Sequence, residues 1–363
     1  MIKDVHARII QRGLNRRGHE AVLWYGADLP DRQTLSLTID STGAPGLELR
    51  GAAIDSREPF DAVWLRRPAA AVLPESMHPG DRRFATREWT RLDEGLWRTI
   101  APDAFWVNPY DSAQAAKSKS LQLREAARVG LPIPPTLFSN DPQRIREFIR
   151  SNPGGTIYKP FLTAQWRNDD EGTAFLFTAT VDEDDLPDDE YLRLSPGIFQ
   201  PRIEKSHELR VTFIGQHTLV ARLDSQAVEA AQIDWRAGTR TIATTRGELP
   251  PAVEARCRAL LARLGLVFAC VDLIVTSSGE HVFIEVNQMG QFLWLEEIEP
   301  ELPLVDAFCE MLIQGRPDFT WDPARARLHL ADLEDHDDLA QVDALHVPTT
   351  FDHLLDDAWE QAS

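Results

Sequence analysis

The residues best suited to chemistry fall in one short stretch. Asp272 sits within the apolar run Ala269-Cys270-Val271-Asp272-Leu273-Ile274-Val275, and Glu285 and Asn287 close a second run, Val282-Phe283-Ile284-Glu285-Val286-Asn287. Both runs read as strands, joined by Ser277-Ser278-Gly279-Glu280, which has the composition of a hairpin turn. Period-two alternation puts Glu285 and Asn287 on one sheet face, and a register centred on Ser278-Gly279 brings Asp272 across the ladder from them. Two carboxylates and an amide oxygen are hard ligands that suit Mg²⁺ held together with substrate phosphates. The competing reading is three polar residues solvated at a sheet edge. Against it, Asp and Glu are seldom placed in such apolar strands without a partner.

The surrounding pattern supplies elements to position that hairpin. Val5, Ile9, Ile10 and Leu14 predict a helix stopped by Arg17-Gly18, followed by strands at Ala21–Tyr25 and Asp61–Leu65 and a helix over Arg82–Ile100. A helix is expected from Asp111 to Val129, then an extended connector at Leu131–Thr136, because residues before prolines leave the helical region. Pro142 opens a short helix, and Thr156–Lys159 and Phe175-Leu176-Phe177 read as strands. Further strands are expected at Ile198–Gln200, Leu209–Ile214 and Thr218–Leu223, with helices at Pro251–Leu264 and Leu304–Ile313. The alternation gives an α/β (α+β) chain.

Composition narrows the function classes. A length of 363 residues implies two or three packed units, and 43% apolar residues suffice for a real core. The formal charge of −19 repels phosphate backbones, so no nucleic-acid partner is expected. No apolar run is long enough for a membrane span, so no membrane partner is expected either. No signal-peptide pattern opens the chain. Three cysteines without a CxxC pair argue against a disulfide scaffold and fit a reducing cytoplasm.

Taken in order, several segments resemble the ATP-grasp ligases, specifically the branch of ribosomal protein glutamate ligases and graspetide (microviridin-type) peptide macrocyclases. They are Val63-Trp64-Leu65-Arg66-Arg67-Pro68, Trp106-Val107-Asn108-Pro109, Lys119-Ser120-Leu121-Gln122-Leu123, Tyr158-Lys159-Pro160, Glu208-Leu209-Arg210-Val211-Thr212, Ala221-Arg222-Leu223-Asp224-Ser225-Gln226 and the Asp272, Glu285, Asn287 set. The resemblance runs from about Asp61 to Gly315. It implies two α+β subdomains sandwiching ATP, preceded by a small α/β preliminary domain. The expected division is a preliminary domain at 1–110, a central subdomain at 111–197, a C-terminal subdomain with the metal site at 198–315, and an acidic tail at 316–363. The family's usual first strand is expected to be missing before Val5. The tail carries three arginines, no lysine and twelve acids, which reads as a solvated, partly helical segment, with Leu354, Leu355 and Trp359 spaced for one helix face.

The resemblance also implies roles. Lys119 and Lys159 would give point charges to the phosphates; the alternative is a solvated lysine, a weaker reading for Lys119 on its helix and weaker still for Lys159 at the end of an apolar strand. Gln200-Pro201-Arg202-Ile203 matches the hinge whose backbone meets the adenine edge, and Glu208 matches the ribose-binding acid. Arg210 and Arg222 would face the γ-phosphate and the carboxylate being activated, since a guanidinium grips either in a bidentate way. Their alternative is pairing with acids on the outer sheet face. Trp166, Trp235 and Trp294 would either line a peptide surface or pack. Arg66-Arg67, His207 and the stretch Gly290–Glu297 could meet substrate by position. The implied reaction is carboxylate activation as an acyl phosphate, with ATP and Mg²⁺, followed by amide or ester formation. Its substrate would be a peptide, as in graspetide macrocyclases, or the carboxylate of a small molecule or protein, as in a stand-alone amino-acid or amine ligase. An ATP-binding regulator without ligase activity is the reading from another class. Relatives of this kind are often dimers, so a homodimer is among the implied arrangements.

Overall fold

The computed structural model describes residues 5–51, 54–57, 59–161, 165–168, 172–175, 178–239 and 241–333. The chain opens with helix α1 (Val5–Arg16), and three antiparallel strands follow: β1 (Gln33–Ile39), β2 (Pro45–Gly51) and β3 (Ile54–Arg57). β4 (Ala62–Trp64), helix α2 (Pro79–Thr99) and β5 (Phe105–Val107) come next, with β4 and β5 paired in parallel.

Two expectations fail in this region. Ala21–Tyr25 is not a strand. Its first residue is held by α1 side chains instead, Gln11 donating to the Ala21 carbonyl at 2.7 Å and Asn15 accepting from the Ala21 N–H at 3.2 Å. Trp24 packs on Trp97 of α2, with ring centroids 4.8 Å apart. The antiparallel sheet of β1, β2 and β3 was not anticipated, although Leu35 and Leu37 alternate with polar residues as a half-buried strand should.

The expected long helix from Asp111 is two helices, α3 (Tyr110–Ala116) and α4 (Lys119–Arg128). The break falls at Lys117-Ser118, where the Ser118 hydroxyl caps α4 by accepting from the Leu121 N–H. A four-stranded antiparallel sheet is built from β6 (Leu137–Ser139), β7 (Thr156–Lys159), β10 (Ala179–Val181) and β11 (Gly197–Pro201), in the order β10-β7-β11-β6. Helix α5 (Pro142–Arg150) packs beside it, its N-terminus capped by Asp141. A separate hairpin, β8 (Gln165–Asn168) with β9 (Gly172–Phe175), and a short helix α6 (Asp189–Leu192) complete this part. Of the expected strand Phe175-Leu176-Phe177, the last two residues lie outside the described residues.

The second large sheet has five antiparallel strands in the order β14-β13-β12-β15-β16. They are β12 (Lys205–Ile214), β13 (His217–Leu223), β14 (Thr244–Arg246), β15 (Phe268–Thr276) and β16 (His281–Asn287). One face carries Leu209, Val211, Phe213, Val271 and Phe283 into a core shared with α4 and α7 (Pro251–Leu264). The lower half of the other face packs on α8 (Leu293–Ile298) and α9 (Leu304–Gln314) through Phe268, Phe292 and Phe308. Each such fully buried side chain contributes about 1.5–3 kcal/mol. The upper half of that face is left for polar side chains.

The stretch after α9 departs from the expected solvated tail. Phe319, Leu328, Leu330 and Leu333 are buried against α1 and α9. The strap crosses the β12–β13 turn at Gly215, where a Cβ would collide with the Pro317 carbonyl. Residues 334–363, including Leu354, Leu355 and Trp359, lie outside the described residues, as do the residues preceding Val5. Among the described residues no helix is long and apolar enough to cross a membrane.

Candidate active site

The register of the five-stranded sheet brings the polar residues together. Arg210 on β12 lies opposite Asp272 on β15, and Asp272 lies opposite Glu285 on β16, with Asn287 opposite Cys270. Cross-strand partners share a face, so Arg210, Asp272, Glu285 and Asn287 form one row. Glu208, two residues before Arg210, extends it.

Each acid in the row has a cation. Arg210 Nη1 donates to both Asp272 oxygens at 2.8 Å, a single nitrogen shared between them, with Arg210 only 3% exposed. Lys119, at the start of α4, donates to Glu285 Oε2 at 2.6 Å. Glu208 pairs with Lys205 and accepts from the Ser225 hydroxyl at 3.2 Å. Burial raises the Asp272 carboxyl, and the neighbouring Glu285 raises it further. Burial would raise Glu285 too, but Lys119, Arg236 and Lys159 outweigh it and hold the carboxyl down to about 2. Across the cleft, Lys159 closes β7. Burial pushes its ammonium down to about 8, while Glu285 pulls it back up.

Arg236 is the residue that sequence reasoning missed. It lies in the 3-10 turn Trp235–Gly238. Asp234 grips its guanidinium at 2.8 and 2.5 Å and also accepts from the Thr178 N–H at 3.1 Å. Its charge is felt by Glu285, Asp272 and Lys159. The available signal was an acid–aromatic–base triplet in a loop with no regular pattern, which offers periodicity nothing to read.

Arg222 does not join the row. It lies opposite Leu209, so its side chain leaves the other face of the sheet from Arg210. There it donates to Asp224 at 2.9 Å and stands 3.5 Å from His207. The expectation that both arginines face one reacting centre is corrected accordingly.

A cleft of about 300 Å³ opens between the two large sheets. Ile157 of β7 and Ile274 of β15 line it, with Ile203, Ile233, Arg202 and Lys205. Arg202 and Ile203 of the expected hinge are thus among the residues that line it. Gln200 is different: it is 3% exposed and donates to the Thr136 hydroxyl at 2.9 Å.

The remaining candidates are occupied elsewhere. Arg66 donates to the Met289 and Gly290 carbonyls at 2.6 and 2.7 Å. Trp235 and Trp294 stack on each other, centroids 5.1 Å apart, against the α8–α9 core. Glu296 is buried and accepts from the Val305 and Leu330 N–H groups. The Trp166 side chain lies outside the described residues.

No protein-family model matches the sequence, and no curated protein matches it. Solved structures do. A RiPP-associated ATP-grasp ligase from Chryseobacterium gregarium, in complex with ADP and a leader and core peptide, is 25% identical, with 88% of this chain and 95% of that one covered and a TM-score of 0.77. The macrocyclase MdnC from Microcystis aeruginosa, bound with its precursor peptide, is 26% identical over 86% of this chain and 97% of that one, with a TM-score of 0.75. The macrocyclase MdnB from the same organism is 30% identical over 86% of this chain and 96% of that one, with a TM-score of 0.72. With that identity over nearly the whole of MdnB, the chain belongs to the ADP-forming ATP-grasp ligases, in the branch of the microviridin-type peptide macrocyclases.

Proposed function

We propose that this ligase activates a side-chain carboxylate of a peptide with ATP and joins it to an amine or hydroxyl of the same peptide, closing a ring. The observation that carries the reading is the Asp272–Glu285 carboxylate pair, set among Lys119, Lys159, Arg210 and Arg236, on strands whose Ile157 and Ile274, two residues from Lys159 and Asp272, line the cleft. Such a site suits a polyanion brought in with a divalent cation.

Mg²⁺ fits the donor chemistry. Among the described residues no three of His, Cys, Asp and Glu form a metal-binding group, so a dedicated protein cage is not on offer. Mg²⁺ characteristically takes one or two carboxylates and completes its shell with water and substrate phosphates. Asp272, Glu285 and Asn287 would hold it, and the ion would supply charge neutralisation on the phosphates.

The reaction needs no side-chain nucleophile. A substrate carboxylate oxygen bonds to the γ-phosphorus of ATP as the bond to ADP breaks. The amine or hydroxyl then attacks the acyl carbon, and inorganic phosphate leaves. The chain's own residues position and neutralise. Apolar Ile157, Ile203, Ile233 and Ile274 would flank the base. Glu208 would accept from the ribose, while Lys159 and Lys119 hold phosphate oxygens. Arg210 and Arg236 would face the charge that spreads over the transferring group, where fixed donors act most strongly. Arg236 is preset for this by Asp234. The peptide substrate is supported by the Chryseobacterium ligase with its leader and core peptides and by MdnC with its precursor.

The test is ADP and phosphate release across pools of acidic peptides and of free amino acids, with Glu285→Gln as control. The reading expects stimulation by a peptide and a product lighter by one water. Stimulation by free amino acids alone would replace it with the stand-alone ligase. Nucleotide binding without release in any pool would favour a regulator.

A further inference from the structure

Gln122 lies on α4, one turn after Lys119, and is 4% exposed. Its amide is fully used. Nε2 donates to the Ala116 carbonyl at 2.7 Å and to the Val286 carbonyl at 2.8 Å, and Oε1 accepts from the Val286 N–H at 2.8 Å. The side chain therefore pairs with both main-chain groups of one strand residue, as a neighbouring strand would.

That residue separates Glu285 from Asn287. β16 is the edge of its sheet, with β15 as its one neighbouring strand; its outer edge is met by the Pro132 carbonyl, which accepts from the Phe283 N–H at 2.8 Å, and by Gln122 at Val286. Successive strand residues send their N–H and C=O groups to alternate edges. Val286 therefore presents its pair to α4, where a buried backbone group must find a partner. The ladder is also irregular beside it. Asp272 lies opposite Glu285 but Leu273 lies opposite Phe283, which leaves Ile284 as an extra residue. A bulge of this kind bends the strand and re-aims the next side chains. Beyond the bulge, Gln122 holds the main chain between Glu285 and Asn287, and Asn108 donates to the Gln288 carbonyl at 2.8 Å.

We propose that Gln122 is a positioning residue: by clamping Val286 it sets the direction of Glu285 and Asn287, and it ties them to the helix that carries Lys119. The proposal rests on the reading of Asp272, Glu285 and Asn287 as metal ligands. Groups that orient ligands from behind typically change metal affinity about 10–100-fold when removed.

The test measures Mn²⁺ binding by electron paramagnetic resonance in the presence of ADP, and ADP binding without metal by calorimetry. Gln122→Met has similar length and lacks all three bonds. It is expected to weaken Mn²⁺ binding roughly 10–100-fold while metal-free ADP binding stays at the wild-type level. Gln122→Glu retains the acceptor for the Val286 N–H, so it is expected to fall between Gln122→Met and wild type, and it carries the test if Gln122→Met does not fold. Glu125→Gln is the structural control. Glu125 fastens the same helix to Arg263 of α7 at 2.6 Å and makes no bond to β16, so its loss should leave Mn²⁺ binding unchanged. Wild-type Mn²⁺ affinity in Gln122→Met, or an equal loss in Glu125→Gln, overturns the proposal. Wild-type affinity in Glu285→Gln would instead remove the ligand assignment on which it rests.

Discussion

Replacing Asp272 by Asn removes one charge from a buried pair and strands the other. Arg210 is 3% exposed, and among the described residues its Nη1 donates to the two Asp272 oxygens at 2.8 Å alone and its buried Nε has no partner. Asn keeps a single acceptor, so at least one of the two charge-assisted bonds is lost. With charge centres about 4 Å apart and an effective dielectric constant of about 20, the pair attracts by about 4 kcal/mol. Breaking a buried pair from one side typically costs about 3–5 kcal/mol. Glu285 also attracts Arg210 and takes up part of the loss, which places the expected cost near 3 kcal/mol. That is a large share of the roughly 5–15 kcal/mol that holds a domain together. Urea unfolding at neutral pH should show it as a lowered midpoint with unchanged slope. Adding Arg210→Met to Asp272→Asn removes the stranded cation and should recover at least half of the loss, while ATP turnover stays absent in both proteins. A single variant as stable as wild type, or a double variant no more stable than the single, would refute the reasoning.

Other outcomes follow from the same row. Glu285→Gln should abolish ATP turnover and also lower stability at neutral pH by about 1–3 kcal/mol, because a carboxylate that Lys119, Arg236 and Lys159 hold down to about 2 is replaced by a neutral amide; turnover and urea unfolding measured together check both halves. Arg236→Ala should lower kcat about 10²–10³-fold, the usual cost of one fixed transition-state donor, with metal-free ADP affinity much less changed in calorimetry. Glu296 gives a pH dependence. Burial raises its carboxyl to about 7, above the ordinary 4.5 of a glutamate, so the folded chain holds this proton over a range where the unfolded chain has lost it. Its contribution is full below about 4.5 and is lost as pH rises through about 7. Glu296→Gln should flatten the stability profile across that window, read from unfolding midpoints at several pH values.

How far the sequence could be read depended on where each element draws its stability. The hairpin of β15 and β16 was legible because its apolar alternation and its Ser-Ser-Gly-Glu turn act locally, and its register brought Asp272 to Glu285 as expected. Ala21–Tyr25 misled because an apolar run can be buried without joining a ladder: Gln11 and Asn15 hold Ala21 from α1, and Trp24 packs on Trp97. Arg222 misled for a different reason. Strand membership was correctly read, but the two-residue turn Gly215-Gln216 pairs Ile214 with His217 and so puts Arg222 opposite Leu209, on the other face from Arg210; in a hairpin the turn sets the register, and that turn was not located. Arg236 and Gln122 could not be seen as site residues at all. One sits in an irregular loop, and the other acts on a backbone more than a hundred positions away. The strap from Arg316 was hidden by its acidic composition, although Phe319, Leu328, Leu330 and Leu333 are spread through it as core residues.

The central claim is that a substrate carboxylate oxygen becomes bonded to the γ-phosphorus of ATP. Once a peptide that stimulates ADP release is in hand, its Asp and Glu carboxylates can be labelled with oxygen-18 and the released phosphate examined by mass spectrometry. The account predicts one labelled oxygen in the phosphate for each bond closed, and none when Glu285→Gln replaces the wild-type enzyme. Product formation with unlabelled phosphate would contradict it.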